Sequence, residues 1–165
     1  MECCNVDIDR LDRKIISLLQ HDARITNQHL ADSVGLSPSA CLNRVRKLEA
    51  AGVLTGYLAA IDLHSLCRSV TVIATVSVQD QSTERFREFR DAVEAIPEVV
   101  ESYTVSGAID LFLRIIAADM PRYNAVNDQI LDLLPGKVHI SSHVVLENGK
   151  PFSGYPLSAL LDDPA

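Results

Sequence analysis

The sequence has no apolar run near the roughly 20 residues that a membrane span requires. Its opening residues, Met1-Glu2-Cys3-Cys4-Asn5-Val6-Asp7, carry neither the basic start nor the apolar core of a secretory signal. Both absences point to a cytoplasmic protein without a membrane partner. The four cysteines form no C-x-x-C pattern and have no matching histidine pair, so no zinc site is expected. Cys3 and Cys4 are sequence neighbours, a poor geometry for a bridge, while Cys41 and Cys67 stand singly in apolar patterns; all four read as thiols. His64 and Cys67 have the spacing of a metal half-site, but a loop histidine and a buried thiol are the simpler reading, and no metal residue is assigned. No Gly-rich phosphate loop, nucleophile elbow or paired-carboxylate arrangement occurs. No catalytic residue and no cofactor are therefore assigned.

What is present is a folding sequence of 165 residues, 47% apolar, enough for one large or two small domains. The net charge of -7 is unevenly spread. Residues 1–54 hold seven Lys/Arg (Arg10, Arg13, Lys14, Arg24, Arg44, Arg46, Lys47) against seven Asp/Glu, and the remainder carries the whole acidic excess. A neutral first part with basic patches and an acidic second part imply two modules with different partners.

The first module reads as three helices. Asp7 or Asp9 can cap the first, with Leu11, Ile15, Leu18 and Leu19 as its apolar stripe. Thr26 or Asn27 can cap the second, which runs to Val34 and ends at Gly35, a residue that tolerates the positive φ of a tight turn. The third begins at Ser37 as cap and Pro38 at the first helical position, where a missing N–H costs nothing. Cys41, Val45 and Leu48 face inward at i, i+4, i+7. Ser39, Asn43, Arg46 and Lys47 face outward, with Arg44 on the flank. Helix, glycine turn and polar-faced helix together form a helix-turn-helix pattern. Arg and Asn on such a face can bond base edges bidentately in a major groove. The alternatives are a solvated basic face and a plain three-helix bundle.

Residues Leu54 to Asp62 are β-prone and read as an extended linker strand, ordered by pairing with a second copy. Beyond it, Val70–Val78 is a β-branched strand, and a helix starting at Ser82 or Thr83 turns Phe86, Phe89, Val93 and Ile96 inward before Pro97. Val99–Ser106 and Ile109–Ala117 form a hairpin around Gly107-Ala108. Asp119 caps a helix carrying Tyr123, Val126 and Ile130, and Val138–Leu146 is the last strand before the Asn148-Gly149 turn. The order β-α-β-β-α-β is ferredoxin-like. One side of the first strand presents Val70, Val72, Ala74, Val76 and Val78; Thr71, Ile73, Thr75 and Ser77 lie on the other. Two sheets packed by that second face would form a dimer.

The runs Ile8-Asp9-Arg10-Leu11-Asp12, Leu36-Ser37-Pro38-Ser39-Ala40-Cys41, Arg44-Val45-Arg46-Lys47-Leu48-Glu49, Gly52-Val53-Leu54 and Ile96-Pro97-Glu98-Val99 resemble the Lrp/AsnC family of leucine-responsive and asparagine-type transcription regulators. The similarity spans nearly the whole chain. It implies an α+β protein: an N-terminal helix-turn-helix (winged-helix-like) DNA-binding domain at 1–53, a linker strand or hinge at 54–66, and a C-terminal ferredoxin-like βαββαβ domain at 67–165 for effector binding and oligomerisation. It also implies dimers on an imperfect palindrome in double-stranded DNA, an octamer built as a tetramer of dimers, and a small-molecule effector, an amino acid, held between dimers.

The DNA-binding residues are then Ser37, Ser39, Asn43, Arg44, Arg46 and Lys47. The effector residues implied by the resemblance are Thr104, Ser106, Gly107, Ala108, Asp110, Met120, His143, Val144 and Val145. The family's Gly-Asp-aromatic-Asp motif reads Gly107-Ala108-Ile109-Asp110 here, so Asp110 is the remaining carboxylate for an ammonium group. Siroheme decarboxylases resemble the same layout, and His139, His143 and Arg114 supply residue types that hold a tetrapyrrole. That enzyme is the alternative, although it would not need an intact basic recognition helix.

Overall fold

The computed structural model describes residues 7–79 and 82–161. Cys3 and Cys4 lie outside the described residues. The chain divides into two units: one made of the N-terminal part to Ala60 together with the segment from Lys150 onward, the other running from Ile61 to Gly149.

The first unit is a trihelical core. Helix α1 (Arg10–His21) starts at a reciprocal cap, in which the Asp9 carboxylate accepts the Leu11 and Asp12 N–H groups and the Asp12 carboxylate accepts that of Asp9. Thr26 caps α2 (Asn27–Val34), and Gly35 ends it at φ +76°. With Gly35 left-handed, the Leu36 N–H reaches back to the Ala31 carbonyl at 3.0 Å, closing the turn. Ser37 caps α3 (Pro38–Ala50), with Pro38 at its first position. The core joins Ile15, Ile16, Leu19, Leu30, Ala31, Val34, Cys41 and Leu48, all buried. Each large aliphatic removed from water there contributes about 1.5–3 kcal/mol. Val45 and Leu18 pack at the margin of this core.

Three expectations change in this unit and the linker. No strand follows α3 among the described residues of the unit, so one chain forms no wing. Residues 55–62 adopt no regular structure, and Leu58 stands 95% exposed. A strand there needs a partner to satisfy its N–H and C=O groups, and a single chain offers none. The rest of the expected linker is partly helical, a short α4 (Leu63–Leu66) capped by Asp62. Finally, the C-terminal segment does not stay with the second domain: Leu157 packs against the trihelical core.

The second unit is a four-stranded antiparallel sheet in the order β2-β3-β1-β4, from β1 (Val70–Val78), β2 (Val99–Thr104), β3 (Leu111–Ala117) and β4 (Val138–Val144). Helices α5 (Thr83–Glu94) and α6 (Met120–Leu133) form the other layer, capped by Ser82 and Asp119. This is the ferredoxin-like arrangement. Burial alternates along β1 and β3, as a sheet with one face on helices requires. Val72, Ala74, Val76, Leu111, Leu113 and Ile115 meet Phe89, Val93, Tyr123, Val126 and Ile130 in one core. Two strands stop short of expectation, β2 at Thr104 and β4 at Val144. The hairpin opens into a loop over residues 105–110, with Gly107 at φ +123°.

Candidate nucleic-acid interface and effector site

Helix α3 offers a polar outer face whose members are not equivalent. Ser39, Asn43, Arg46 and Lys47 are exposed. Ser37 is committed to the cap: its Oγ accepts the Ala40 N–H at 3.3 Å and lies 3.2 Å from Ser39 Oγ. Arg44 is committed too. Its Nη1 donates to Asp9 Oδ2 at 2.7 Å and Asp12 Oδ1 at 2.8 Å, tying the middle of α3 to the start of α1. The Asp9 carboxyl is held below its usual value by the Asp12 N–H and then by this guanidinium. Arg44 is thus half-buried and paired with two carboxylates, whereas Arg46 and Lys47 are exposed.

Two further clamps, not assigned from sequence, tie the three helices together. Asn27, the first residue of α2, donates from Nδ2 to the Pro38 carbonyl at 2.9 Å, joining the start of α2 to the start of α3. Lys14 Nζ donates to the Ser33 carbonyl at 2.5 Å and ties α1 to the end of α2. Only the turn chemistry around Gly35, which sets α2 against α3, signalled the first. A shallow groove of about 450 Å³ lies beside α3, lined by Asp7, Asp12, Asn43, Arg44 and Lys47 among others. Cys41 is fully buried and burial pushes its thiol pKa up, so it serves as core. Cys67, expected to be buried, is exposed.

The nine expected effector residues fall into two groups within one chain. Thr104, Ser106, Gly107, Ala108 and Asp110 surround the β2–β3 loop beside Val76–Val78 at the end of β1. His143 and Val144 pair with Ile73 and Val72 near its beginning, and the Val145 N–H donates to the Thr71 carbonyl at 2.9 Å. Met120 opens α6 shortly after Ala117, which pairs with Val70 at that same end. Three to six residues of strand separate Ile73 and Val72 from Val76–Val78, about 10–20 Å along β1 at ~3.4 Å per residue.

Asp110 is built into its loop. Its carboxylate accepts the Val78 N–H at 2.7 Å, its own N–H donates to the Val76 carbonyl at 2.8 Å, and its carbonyl accepts the Val105 N–H at 3.0 Å. Ser77 Oγ adds a bond to the Ala108 carbonyl at 3.2 Å. At the α6 end, Arg122 pairs with Glu98 (Nε to Oε1, 2.6 Å), and that guanidinium lowers the Glu98 pKa.

The face of the sheet opposite α5 and α6 carries Ile73, Tyr103, Phe112 and Ile116 around the Arg114–Glu101 ion pair at 2.8 Å. Tyr103 and Phe112 meet edge-on at 6.5 Å. His139 and His143 sit on the same face opposite Ser77 and Ile73.

Residues 8–49 match the AsnC-type helix-turn-helix domain, and residues 71–154 match the Lrp/AsnC ligand binding domain. The chain belongs to the Lrp/AsnC family. It is a DNA-binding transcription regulator. The leucine-responsive regulatory proteins of Escherichia coli K12 and Klebsiella pneumoniae are each 38% identical to it over 144 residues, covering 87% of this chain and 88% of theirs. An AsnC family transcriptional regulator from Agrobacterium tumefaciens aligns with TM-score 0.83 at 34% identity, over 93% of this chain and 99% of its own. A transcriptional regulator from Neisseria meningitidis, solved as its L-Met complex, aligns with TM-score 0.82 at 31% identity over the same shares. These relatives of the Lrp/AsnC chain are regulators, not enzymes, and the siroheme-decarboxylase alternative finds no support among them. Among the described residues no group of His, Cys, Asp or Glu could hold a metal ion, and no helix is long and apolar enough to cross a membrane.

Proposed function

We propose that the chain reads DNA through α3 as a dimer and is switched by an amino acid bound between dimers. Asn43, Arg46 and Lys47 carry the reading, helped by Ser39. Ser37 and Arg44 hold the helix in place. The observation that carries this is the division of the basic residues on α3: Arg44 is neutralised by Asp9 and Asp12, while Arg46 and Lys47 stand exposed. Two copies of α3 would enter successive major grooves about 34 Å apart on an imperfect palindrome. Residues 54–66 form the linker, and the protein works in the cytoplasm, where its DNA lies.

The sheet face with Ile73, Phe112 and Ile116 is the dimer contact, since α5 and α6 cover only the other face. Further assembly to an octamer brings the two ends of β1 from different subunits together. Thr104, Ser106, Gly107, Ala108 and Asp110 from one subunit then meet Met120, His143, Val144 and Val145 from another. The placement of the two groups at different ends of β1 within one chain supports this division. The Neisseria regulator's L-Met complex supports an amino acid as effector. Ala108 and Ile109 alter the binding loop, and Asp110 already spends an oxygen on Val78. The ammonium group thus meets at most one partly occupied carboxylate here.

The test is light-scattering mass of the full chain with each of the twenty amino acids in turn. A change of assembly with one amino acid, abolished in Ala108→Arg, is the expected result. A mass unmoved by all twenty would refute amino-acid control.

A further inference from the structure

Neither family match reaches past residue 154, yet the chain beyond it is folded onto the DNA-binding unit. Near the end of α1, Gln20 grips the backbone of Tyr155 from both sides: its Oε1 accepts the Tyr155 N–H at 2.7 Å and its Nε2 donates to the Tyr155 carbonyl at 3.4 Å. A side-chain amide used in this way imitates a strand neighbour and fixes a position in the backbone. Gly154, just before it, sits at φ +117°, and a Cβ there would meet the Gln20 side chain at 3.2–3.4 Å. The positive φ favours glycine, and a Cβ would also press on the Gln20 side chain. Two residues after Tyr155, Leu157 opens a short helix α7 (Leu157–Leu161) and packs on the trihelical core. Phe152 and Tyr155 meet edge-on at 5.1 Å. With Ser17, Gln20 and His21 they line one open groove.

We infer that residues 154–161 are a strap docked on α1, a built part of the DNA-binding unit that joins it to the effector unit by a second connection. The chain leaves the DNA-binding unit at the linker and returns to it after Gly149. Only eleven residues run from the end of β4 at Val144 to Tyr155, a reach of at most about 36–40 Å. Tethering of this length keeps the strap at about millimolar effective concentration over α1. A few contacts then suffice to hold it, and it remains releasable. A change at β4 that alters the path of the chain between Val144 and Tyr155 would bear on the strap, and through it on α1, by a route separate from the linker.

The test compares full-length wild type with Gln20→Ala and, independently, Gly154→Val. Readouts are hydrogen exchange at Tyr155 and at Ser17–His21, and affinity for a duplex selected by the wild type. The expected result in both variants is faster exchange at those amides and operator affinity weakened about 2- to 30-fold, the span of coupling carried by residues away from either ligand. The mass of the assembly should not change. An unprotected Tyr155 amide in wild type, or unchanged exchange or unchanged affinity in both variants, would overturn the strap. A variant that does not fold is replaced by Leu157→Ala, read in the same way.

Discussion

Removing one exposed cation from α3 should change how DNA binding responds to salt; removing the tied one should not. Lys47 is exposed, so Lys47→Ala deletes a phosphate contact from each recognition helix. Each such contact contributes about 0.9 to the slope of log affinity against log salt, so the two copies in a dimer contribute ~1.8. Between about 50 and 200 mM salt the wild type should then lose roughly tenfold more affinity than the variant. Arg44→Met provides the contrast. Its guanidinium is shared between Asp9 and Asp12, so it neutralises protein carboxylates instead of phosphates. The slope should stay at the wild-type value in this variant while the thermal midpoint of the DNA-binding unit falls. Fluorescence anisotropy with a labelled duplex over a salt series reads both. A flattened slope in Arg44→Met, with none in Lys47→Ala, would show that Arg44 leaves its carboxylates to meet DNA and would refute this division of the helix.

Three further outcomes follow from the same geometry. Gly35→Ala finds open space but must adopt φ +76°, which costs an L-residue about 1–2 kcal/mol; urea midpoints of the DNA-binding unit should drop, and an unchanged midpoint would contradict the left-handed turn. The Asp9 carboxyl is depressed in the folded chain, so its stabilisation is present above the unfolded value of about 3.8 and is lost as pH falls through the lower native value. Urea titrations in acid should show this loss, and Asp9→Asn should flatten it. Asp110→Ala leaves the Val78 N–H without its acceptor at a cost of about 1.5–3 kcal/mol. Faster hydrogen exchange at Val78 is the specific sign, and wild-type exchange there would argue against a structural role.

Local chemistry made most of the fold readable. Asp9, Thr26, Ser37, Ser82 and Asp119 each cap the helix their position announces. The alternation of Val70–Val78 states which face of the sheet is buried. What stayed hidden depends on partners distant in sequence. Arg44 reads as a flank cation until α1 brings two carboxylates to it, and Gln20 meets Tyr155 across 135 positions. The linker shows a different limit. Its β-prone residues describe a strand, but one chain alone supplies no neighbour to pair with. The expected effector residues follow from family positions, and only the register of β1 reveals that they fall at opposite ends of that strand.

The most direct test is selection of duplexes from a random pool by the full-length chain, followed by affinity measurement on the winner with wild type and Arg46→Ala. The expected result is an enriched imperfect palindrome, with half-sites about one helical turn apart, and in Arg46→Ala a weakening of about 1–3 kcal/mol per lost base contact, roughly 5- to 150-fold. No enriched sequence, or equal affinity of the two proteins for the winner, would contradict the claim that α3 reads DNA.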